Sequence, residues 1–287
     1  MRVLVAGATG AVGRRLVPAL VAAGHEVAGT TRTEGGARLL RDLGARPLLV
    51  DAFDGAGLSR ALGAERPEAV IHQLTDLSRL DLEANARLRI EGTRNLVDAA
   101  RAAGVRRMVA QSIAFAYGPG RAPAREDEPL DLGARPPRLR TVEGVAALER
   151  TVAEMEQGVV LRYGTLYGPG TFYAPGGLVA ERIRKGEMPA TGGATSFLHV
   201  DDAAAAAALA LGWPAGTVNV VDDEPAPGWA WIPVLAALLG GPPPPVGGPG
   251  APAERGASNA RARGLGWRPA YASWREGFAR ALGGETR

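Results

Sequence analysis

Short apolar runs alternate with stretches whose apolar residues recur every three or four positions. Residues 3–6 form an unbroken apolar run, the pattern of a strand buried on both faces. Residues 12–23 follow with helical spacing, 26–31 predict a second strand, 37–43 a short helix and 46–50 a third strand. Helical spacing returns at 58–62, and 69–73 predict strand four. Residues 80–103 predict a long helix stopped by Gly104, 107–112 strand five, 141–156 a helix and 159–163 strand six. Strands and helices alternating at this spacing predict an α/β fold, a doubly wound parallel sheet with helices on both faces.

The pattern changes twice. Residues 119–140 are rich in proline, glycine and charge and show no period. A stretch this long without an element reads either as a lid over an active site or as a surface excursion. Beyond Tyr167 the elements shorten: a strand at 197–200, a helix at 203–211, a strand at 217–221, a helix at 229–239 and helical pieces within 260–282. The expected organisation is a dinucleotide-binding domain over 1–165 with a return segment at 198–222. A smaller C-terminal substrate lobe takes 166–197 and 223–287, with 119–140 as the candidate lid. Trp213, Trp229, Trp231, Trp267 and Trp274 all fall in the last third, as lobe core or as walls for an apolar substrate.

Composition narrows the chemistry. The chain has no cysteine, so disulfides, thiol catalysis and cysteine-bound zinc are excluded. His25, His72 and His199 are scattered, and no metal site is expected. The formal net charge is only +3, and the basic residues are spread along the chain, which argues against nucleic acid as a partner. No apolar run reaches membrane-span length, and the chain opens on a core strand rather than a leader, so the expected setting is cytoplasmic.

The strongest motif is Gly7-Ala8-Thr9-Gly10-Ala11-Val12-Gly13, between the first strand and the first helix. Its glycines permit a tight turn, close approach of backbone to a pyrophosphate, and close helix–strand packing. The helix start supplies free N–H groups and partial positive charge. This is the Rossmann arrangement. Strand two ends in Thr31-Arg32, where an NAD enzyme usually carries an acid for the ribose 2′-hydroxyl. A hydroxyl and a guanidinium suit a 2′-phosphate, so NADP(H) is expected ahead of NAD(H), with Arg14 as a second positive group. Asp51 and Ala52 follow strand three on the adenine side, and Gln73, Leu74 and Thr75 follow strand four on the nicotinamide side.

With these residues the chain resembles the extended short-chain dehydrogenase/reductase family, of the NAD-dependent epimerase/dehydratase type. The resemblance rests on the glycine turn, Val70-Ile71-His72, Gly92-Thr93-Arg94-Asn95-Leu96 and Tyr117-Gly118. It continues through Leu161-Arg162-Tyr163-Gly164, Tyr167-Gly168-Pro169-Gly170 and Phe197-Leu198-His199-Val200-Asp201-Asp202. The family implies a tyrosine acid with a lysine four residues later, on the helix after strand five. Alignment on Glu149 puts Thr141 and Val145 at those positions. Lys185, the only lysine, has Glu181 four residues before it, so the chain resembles the family's atypical branch. Arg89 stands where the family has an asparagine, and the family's serine falls near Ser112 or Ile113.

The resemblance implies an oxidoreductase acting on a small molecule. The expected reaction is NADPH-dependent reduction of a bulky aromatic, polyketide-like ketone of the angucyclinone type. A phenol beside its carbonyl would assist protonation. Two alternatives stand beside it: a non-catalytic NADP(H) sensor, and a nucleotide-sugar epimerase or dehydratase. Ser112, Tyr117 and Thr141 are the catalytic candidates, with Ser112 also placed at the cofactor. Each has a plainer reading: Ser112 caps a strand, Tyr117 closes a turn, Thr141 caps a helix. Arg89 reads as a site residue or as a surface helix residue. The family's helix pairs fit a homodimer, and a monomer fits equally.

Overall fold

Val3, Leu4 and Val5 are each no more than 1% exposed, as a central parallel strand requires. They form the middle of β1 (Arg2–Ala6) in a computed structural model that describes residues 1–76 and 81–283. Leu80, the expected start of the long helix, and residues 284–287 of the expected lobe lie outside the described residues. After β1 come α1 (Gly13–Ala22), β2 (Glu26–Thr31), α2 (Glu34–Asp42), β3 (Arg46–Leu49), α3 (Gly55–Glu65) and β4 (Ala69–His72). Then follow α4 (Leu82–Arg87), α5 (Thr93–Ala102), β5 (Arg107–Ile113), α6 (Arg138–Val152) and β6 (Gln157–Tyr163). The remaining elements are β7 (Thr165–Tyr167), α7 (Leu178–Arg184), β8 (Ala194–Thr195), β9 (Phe197–His199), α8 (Val200–Leu209), β10 (Gly216–Val220), β11 (Ala226–Pro227), α9 (Gly228–Leu238), α10 (Ala260–Gly264) and α11 (Trp274–Gly283).

The main sheet has seven strands in the order β10-β6-β5-β4-β1-β2-β3, a Rossmann-like α/β arrangement. β1 pairs in parallel with β2 on one side and β4 on the other, in register Val5 to Gly29 and Val5 to Ile71. The chain therefore winds outward from β1 to β3, then returns past β1 to build the other half. That reversal opens a crevice beyond the carboxyl ends of β1 and β4, where open α/β sheets take their ligands. Side-chain caps start the helices around it: Thr33 accepts from Gly36 N–H at 3.1 Å, Asp54 from Gly57 N–H at 2.8 Å and Asp81 from Ala84 N–H at 3.0 Å.

The helix expected at 80–103 is not uniform. Between α4 and α5 the residues Leu88–Gly92 form a π-turn, a widened turn that recurs at functional sites. α4 packs on α6, where a Cβ on Gly144 would stand 3.1 Å from Ala86 Cα. α6 starts at Arg138, so Thr141 is its fourth residue and not its cap, which is Pro137.

Two compact units emerge. One holds Met1–Ser112, Leu132–Arg162 and Ala204–Val218, and the other Ile113–Asp131, Tyr163–Ala203 and Asn219–Arg287. The core of the second unit is aromatic, with Phe197 on Trp231 at 5.1 Å and Tyr167 on Phe278 at 4.9 Å, both edge to face. Trp231, Trp267 and Trp274 are buried, whereas Trp229 is exposed. The first part of the 119–140 segment is anchored within this unit. Arg255 donates from Nε to the Gly118 carbonyl at 2.8 Å and from Nη1 to the Arg121 carbonyl, and pairs with Glu128 at 2.8 Å. Ala124 donates to the Gly256 carbonyl and its own carbonyl accepts from Ser258.

Asp222 is a deeply buried acid of the second unit. It is 2% exposed, its Oδ2 accepts from Trp274 N–H at 2.9 Å, and its Oδ1 has no hydrogen-bond partner among the described residues. Burial pushes its pKa up to about 8 from the ordinary 3.8. The folded form thus keeps a proton that the unfolded chain has lost, so the stabilisation present below about pH 4 fades as pH rises to about 8. In Asp222→Asn this loss should vanish. The melting temperature of the variant minus that of the natural chain should rise by at least about 2 °C between pH 5 and 8, then level off. A difference that stays constant with pH would show Asp222 ionised throughout.

Candidate active site

At the β1–α1 turn the three glycines serve different ends. Gly7 has φ +85°, and a Cβ there would lie 2.6 Å from the Gln73 carbonyl carbon and oxygen. A Cβ on Gly13 would lie 2.4 Å from the Gly7 carbonyl oxygen. These two positions are dictated by backbone packed on backbone. Gly10 differs: its Cβ would meet only the Gly7 carbonyl oxygen, at 3.3 Å. The fold leaves room there, and the room faces the crevice. Among the described residues the N–H groups of Ala11, Val12 and Gly13 donate to no backbone acceptor, so the start of α1 offers three adjacent donors.

A cleft within the first unit runs along this turn. It is lined by Ala6, Gly7, Thr9 and Gly10 from the turn, Thr30, Thr31 and Arg32 from β2, and Val50, Asp51, Ala52 and Phe53 after β3. Leu58, Gln73, Leu74, Thr75, Asp76 and Leu88 complete it. Of the residues expected at the cofactor, Gly7, Thr9, Gly10, Thr31, Arg32, Asp51, Ala52, Gln73, Leu74 and Thr75 meet here. Ala11, Val12, Gly13 and Arg14 continue from that wall into α1, and Ser112 is not among the lining residues. Arg14 Nε donates back to the Thr9 carbonyl at 2.8 Å. Arg32 is 68% exposed and stands 4.0 Å from Asp51, a loose pair that leaves the guanidinium available to a ligand. Phe53, Leu58 and Leu88 were not anticipated. Phe53 and Leu58 add apolar surface to the wall after β3, and the signal was their place just past that strand. Thr31 is nearly buried: Thr33 N–H approaches its Oγ1 at 3.4 Å, and a Cβ on Gly36 would collide with it.

The catalytic candidates fare differently. Ser112 is 1% exposed, and its Oγ donates to Glu149 Oε1 at 2.7 Å. Tyr117 is 1% exposed, and its hydroxyl donates to Asn219 Oδ1 at 2.7 Å. Both hydroxyl hydrogens are therefore engaged by protein acceptors. Tyr117 serves the second unit, where Asn219 in turn reaches the Ala124 carbonyl at 3.3 Å. Thr141 is partly exposed, one turn before the fully buried Val145 and two turns before Glu149 on the same face of α6.

Beneath the cleft lies a charged cluster that the pattern did not disclose. Arg162 grips Glu149 with Nε to Oε1 at 2.9 Å and Nη2 to Oε2 at 2.7 Å, a two-pronged pair almost sealed from water. Arg89 on the π-turn is 6% exposed, so the surface-helix reading of it is wrong. Burial lowers its pKa to about 10, partly offset by the charge of Glu149, so it stays a cation at neutral pH. His72 is fully buried. Its Nδ1 accepts from Leu74 N–H at 3.2 Å, which leaves Nε2 to donate to Thr93 Oγ1 at 2.9 Å. Burial, helped by the Arg89 charge, pushes His72 down to about 4, so it is a neutral brace for the end of β4.

A family model described as the NAD dependent epimerase/dehydratase family matches residues 3–221. The chain belongs to that family. Within it, the chain is 48% identical over 98% of its length, and over 100% of the relative's, to a 3-diazoavenalumate denitrifying reductase of a Streptomyces species. It is 32% identical to a 4-hydroxy-2-methyl-3-oxo-4-farnesyl-3,4-dihydroquinoline-1-oxide ketoreductase of Stigmatella aurantiaca, over 57% of this chain and 46% of that one. Among solved structures it is similar to the UDP-glucose 4-epimerase of Thermus thermophilus in complex with NAD. The identity is 27%, the TM-score 0.75, and 99% of this chain and 98% of that one are covered. The protein is thus an NAD(P)-dependent oxidoreductase of this family. No helix among the described residues is long and apolar enough to cross a membrane.

The contrast among the glycines yields a paired test. Gly10→Val should fold normally, with a melting temperature within about 2 °C of the natural chain, yet lose at least about a hundredfold in affinity for NADPH by calorimetry. Gly13→Val should lose at least about 2 kcal/mol of stability, because backbone cannot yield to the new side chain. Normal cofactor binding by folded Gly10→Val would show that the room above Gly10 holds something else.

Proposed function

We propose that this chain is an NADPH-dependent reductase that removes the diazo group of an aromatic acid and leaves hydrogen in its place. The observation that carries the reading is 48% identity, over essentially the full length of both chains, to a denitrifying reductase of a diazo compound. The chemistry of the residues agrees with it. Family members that reduce or oxidise carbonyls manage a proton with a tyrosine and a lysine, and here those positions are Thr141 and Val145. When bound, the reduced nicotinamide supplies a hydride. Replacing the diazonium group by that hydride forms the new C–H bond and releases dinitrogen without any proton moving to carbon; where the neighbouring phenol starts ionised, as in the neutral diazo-oxide, the product phenolate afterwards takes one proton from water. A site for this step needs to position substrate and exclude water, and it gains nothing from a tuned acid.

The residues that hold the cofactor in this reading are those of the cleft. Gly7, Thr9 and Gly10, with the N–H groups of Ala11, Val12 and Gly13, take the pyrophosphate. Asp51 and Ala52 take the adenine side, and Gln73, Leu74 and Thr75 take the nicotinamide side. Thr31 and Arg32, with Arg14 close by, take the 2′-phosphate, which makes the cofactor NADPH. A second reading is favoured by the partial likeness to a ketoreductase: reduction of an aromatic polyketide ketone of the angucyclinone type, as in the simocyclinone-pathway ketoreductase, with the substrate's own phenol assisting.

One experiment separates the two readings. Under anaerobic conditions with NADPH, 3-diazo-4-hydroxycinnamate should yield 4-hydroxycinnamate and dinitrogen in equal amounts with NADP+, while hydroxyaryl ketones should be inert. Alcohol formation from the ketones without denitrification would reverse the order. In the same assay Ser112→Ala, Tyr117→Phe and Thr141→Val should each lose less than about tenfold in kcat, about 1.4 kcal/mol, because none is the acid. A thousandfold loss in one of them would locate a conventional proton donor. Arg32→Asp should weaken NADPH binding by about 1.5–3 kcal/mol while leaving NADH nearly unchanged, and equal losses for both cofactors would refute the 2′-phosphate assignment.

A further inference from the structure

The first unit buries more positive than negative charge beside the cleft. Arg89 and Arg162 are 6% and 5% exposed, and the acid between them is Glu149. Glu149 is already saturated on its inner side: Oε1 accepts from Ser112 and Arg162, and Oε2 accepts from Arg162. Arg89 feels the charge of Glu149 but donates no hydrogen bond and forms no ion pair among the described residues. His72, the other titratable group near it, is held neutral by burial and by its bonds to Leu74 and Thr93. A guanidinium with five donors that is 6% exposed and makes no hydrogen bond among the described residues is a costly feature unless a ligand brings the acceptor.

Its place says where that acceptor comes from. Arg89 sits in the π-turn directly after Leu88, which lines the cleft. It is close enough to His72 to depress that ring's pKa, and the next residue, Gln73, also lines the cleft. The lysine position of α6 is Val145, fully buried, so Thr141 and Val145 leave that stretch of the helix without charge. The cation of this region enters from the π-turn instead. We propose that Arg89 is a substrate-binding residue, a buried guanidinium that receives the carboxylate of an aromatic acid in the cofactor-bound enzyme. Planar two-pronged pairing of guanidinium with carboxylate sets both position and plane of the ligand, and the low-polarity surroundings strengthen it. This inference rests on the aromatic-acid reading above and names the group that recognises the acid.

Binding without turnover tests it independently of the reaction. 4-Hydroxycinnamate, its methyl ester and 4-methoxycinnamate are titrated by calorimetry into the NADP+ complex of the natural chain and of Arg89→Met and Arg89→Lys. In the natural chain the two free acids should bind alike, and the ester at least tenfold more weakly. Arg89→Met should erase the preference for acid over ester, Arg89→Lys should keep part of it, and both should bind NADP+ within about threefold of the natural value. Equal binding of acid and ester by the natural chain overturns the inference, whether or not the enzyme denitrifies a diazo acid. So does the absence of any acid binding. Weak binding of 4-methoxycinnamate alone would assign the guanidinium to a phenolate and overturn the carboxylate reading. Loss of NADP+ affinity in both variants with the acid preference intact would assign it to the cofactor. If Arg89→Met does not fold, the ester comparison and Arg89→Lys still decide.

Discussion

The site depends on one contact between stretches of main chain. Gly7, at the end of β1, lies so close to the Gln73–Leu74 peptide after β4 that a Cβ would come within 2.9 Å of three of its atoms. Gly13 repeats this against the Gly7 carbonyl. Because no side chain intervenes, the carboxyl ends of β1 and β4 and the start of α1 share one small volume. The N–H groups of α1 then point at the same space that Thr31, Arg32 and Asp51 approach from the neighbouring strands. A larger residue at Gly7 or Gly13 would push these walls apart before any ligand arrived. At Gly10 the same residue would fill the ligand's own room.

The second organising feature is charge placed under that cleft. A pair such as Arg162 with Glu149 is expensive to bury and is kept when geometry and added hydrogen bonds offset desolvation. Here Ser112 supplies the added bond, so the serine braces the end of β5 by holding Glu149 in place. Arg89 stands outside this closed set. The π-turn that carries it is itself a departure from a regular helix, and that departure coincides with a buried cation lacking a protein acceptor among the described residues. In the proposed reading, this region keeps a cation suited to holding an anionic substrate rather than to moving a proton.

The fold was largely legible because its signals are local. Apolar runs at β1 and β4, helical spacing after the glycine turn, and Gly104 at the end of a helix each report on their own few residues. The cleft was legible for the same reason, since its walls follow directly on strands. What escaped reading depends on distance in sequence. Ser112, Glu149 and Arg162 are separated by 37 and 13 residues, and nothing in the chain announces that they share two hydrogen-bonded oxygens. Arg89 is flanked by ordinary helical residues, so its burial follows only from how α4, the π-turn and α6 pack. Tyr117 looked like a site residue from its Tyr-Gly pair, yet its hydroxyl is taken by Asn219, 102 residues away. The short β8 and β11 have two residues each, too few for any periodicity to register.

In the proposed reaction, hydride transfer proceeds without a proton donor from the protein. The most direct measurement is a pair of isotope effects on single-turnover oxidation of NADPH by 3-diazo-4-hydroxycinnamate. The account predicts a primary effect above about 2 for NADPH deuterated at the transferring position, and an effect near 1 on changing solvent from water to heavy water, because no exchangeable proton moves in the rate-limiting step. A solvent effect above about 2, removed by replacing a single side chain, would contradict the account.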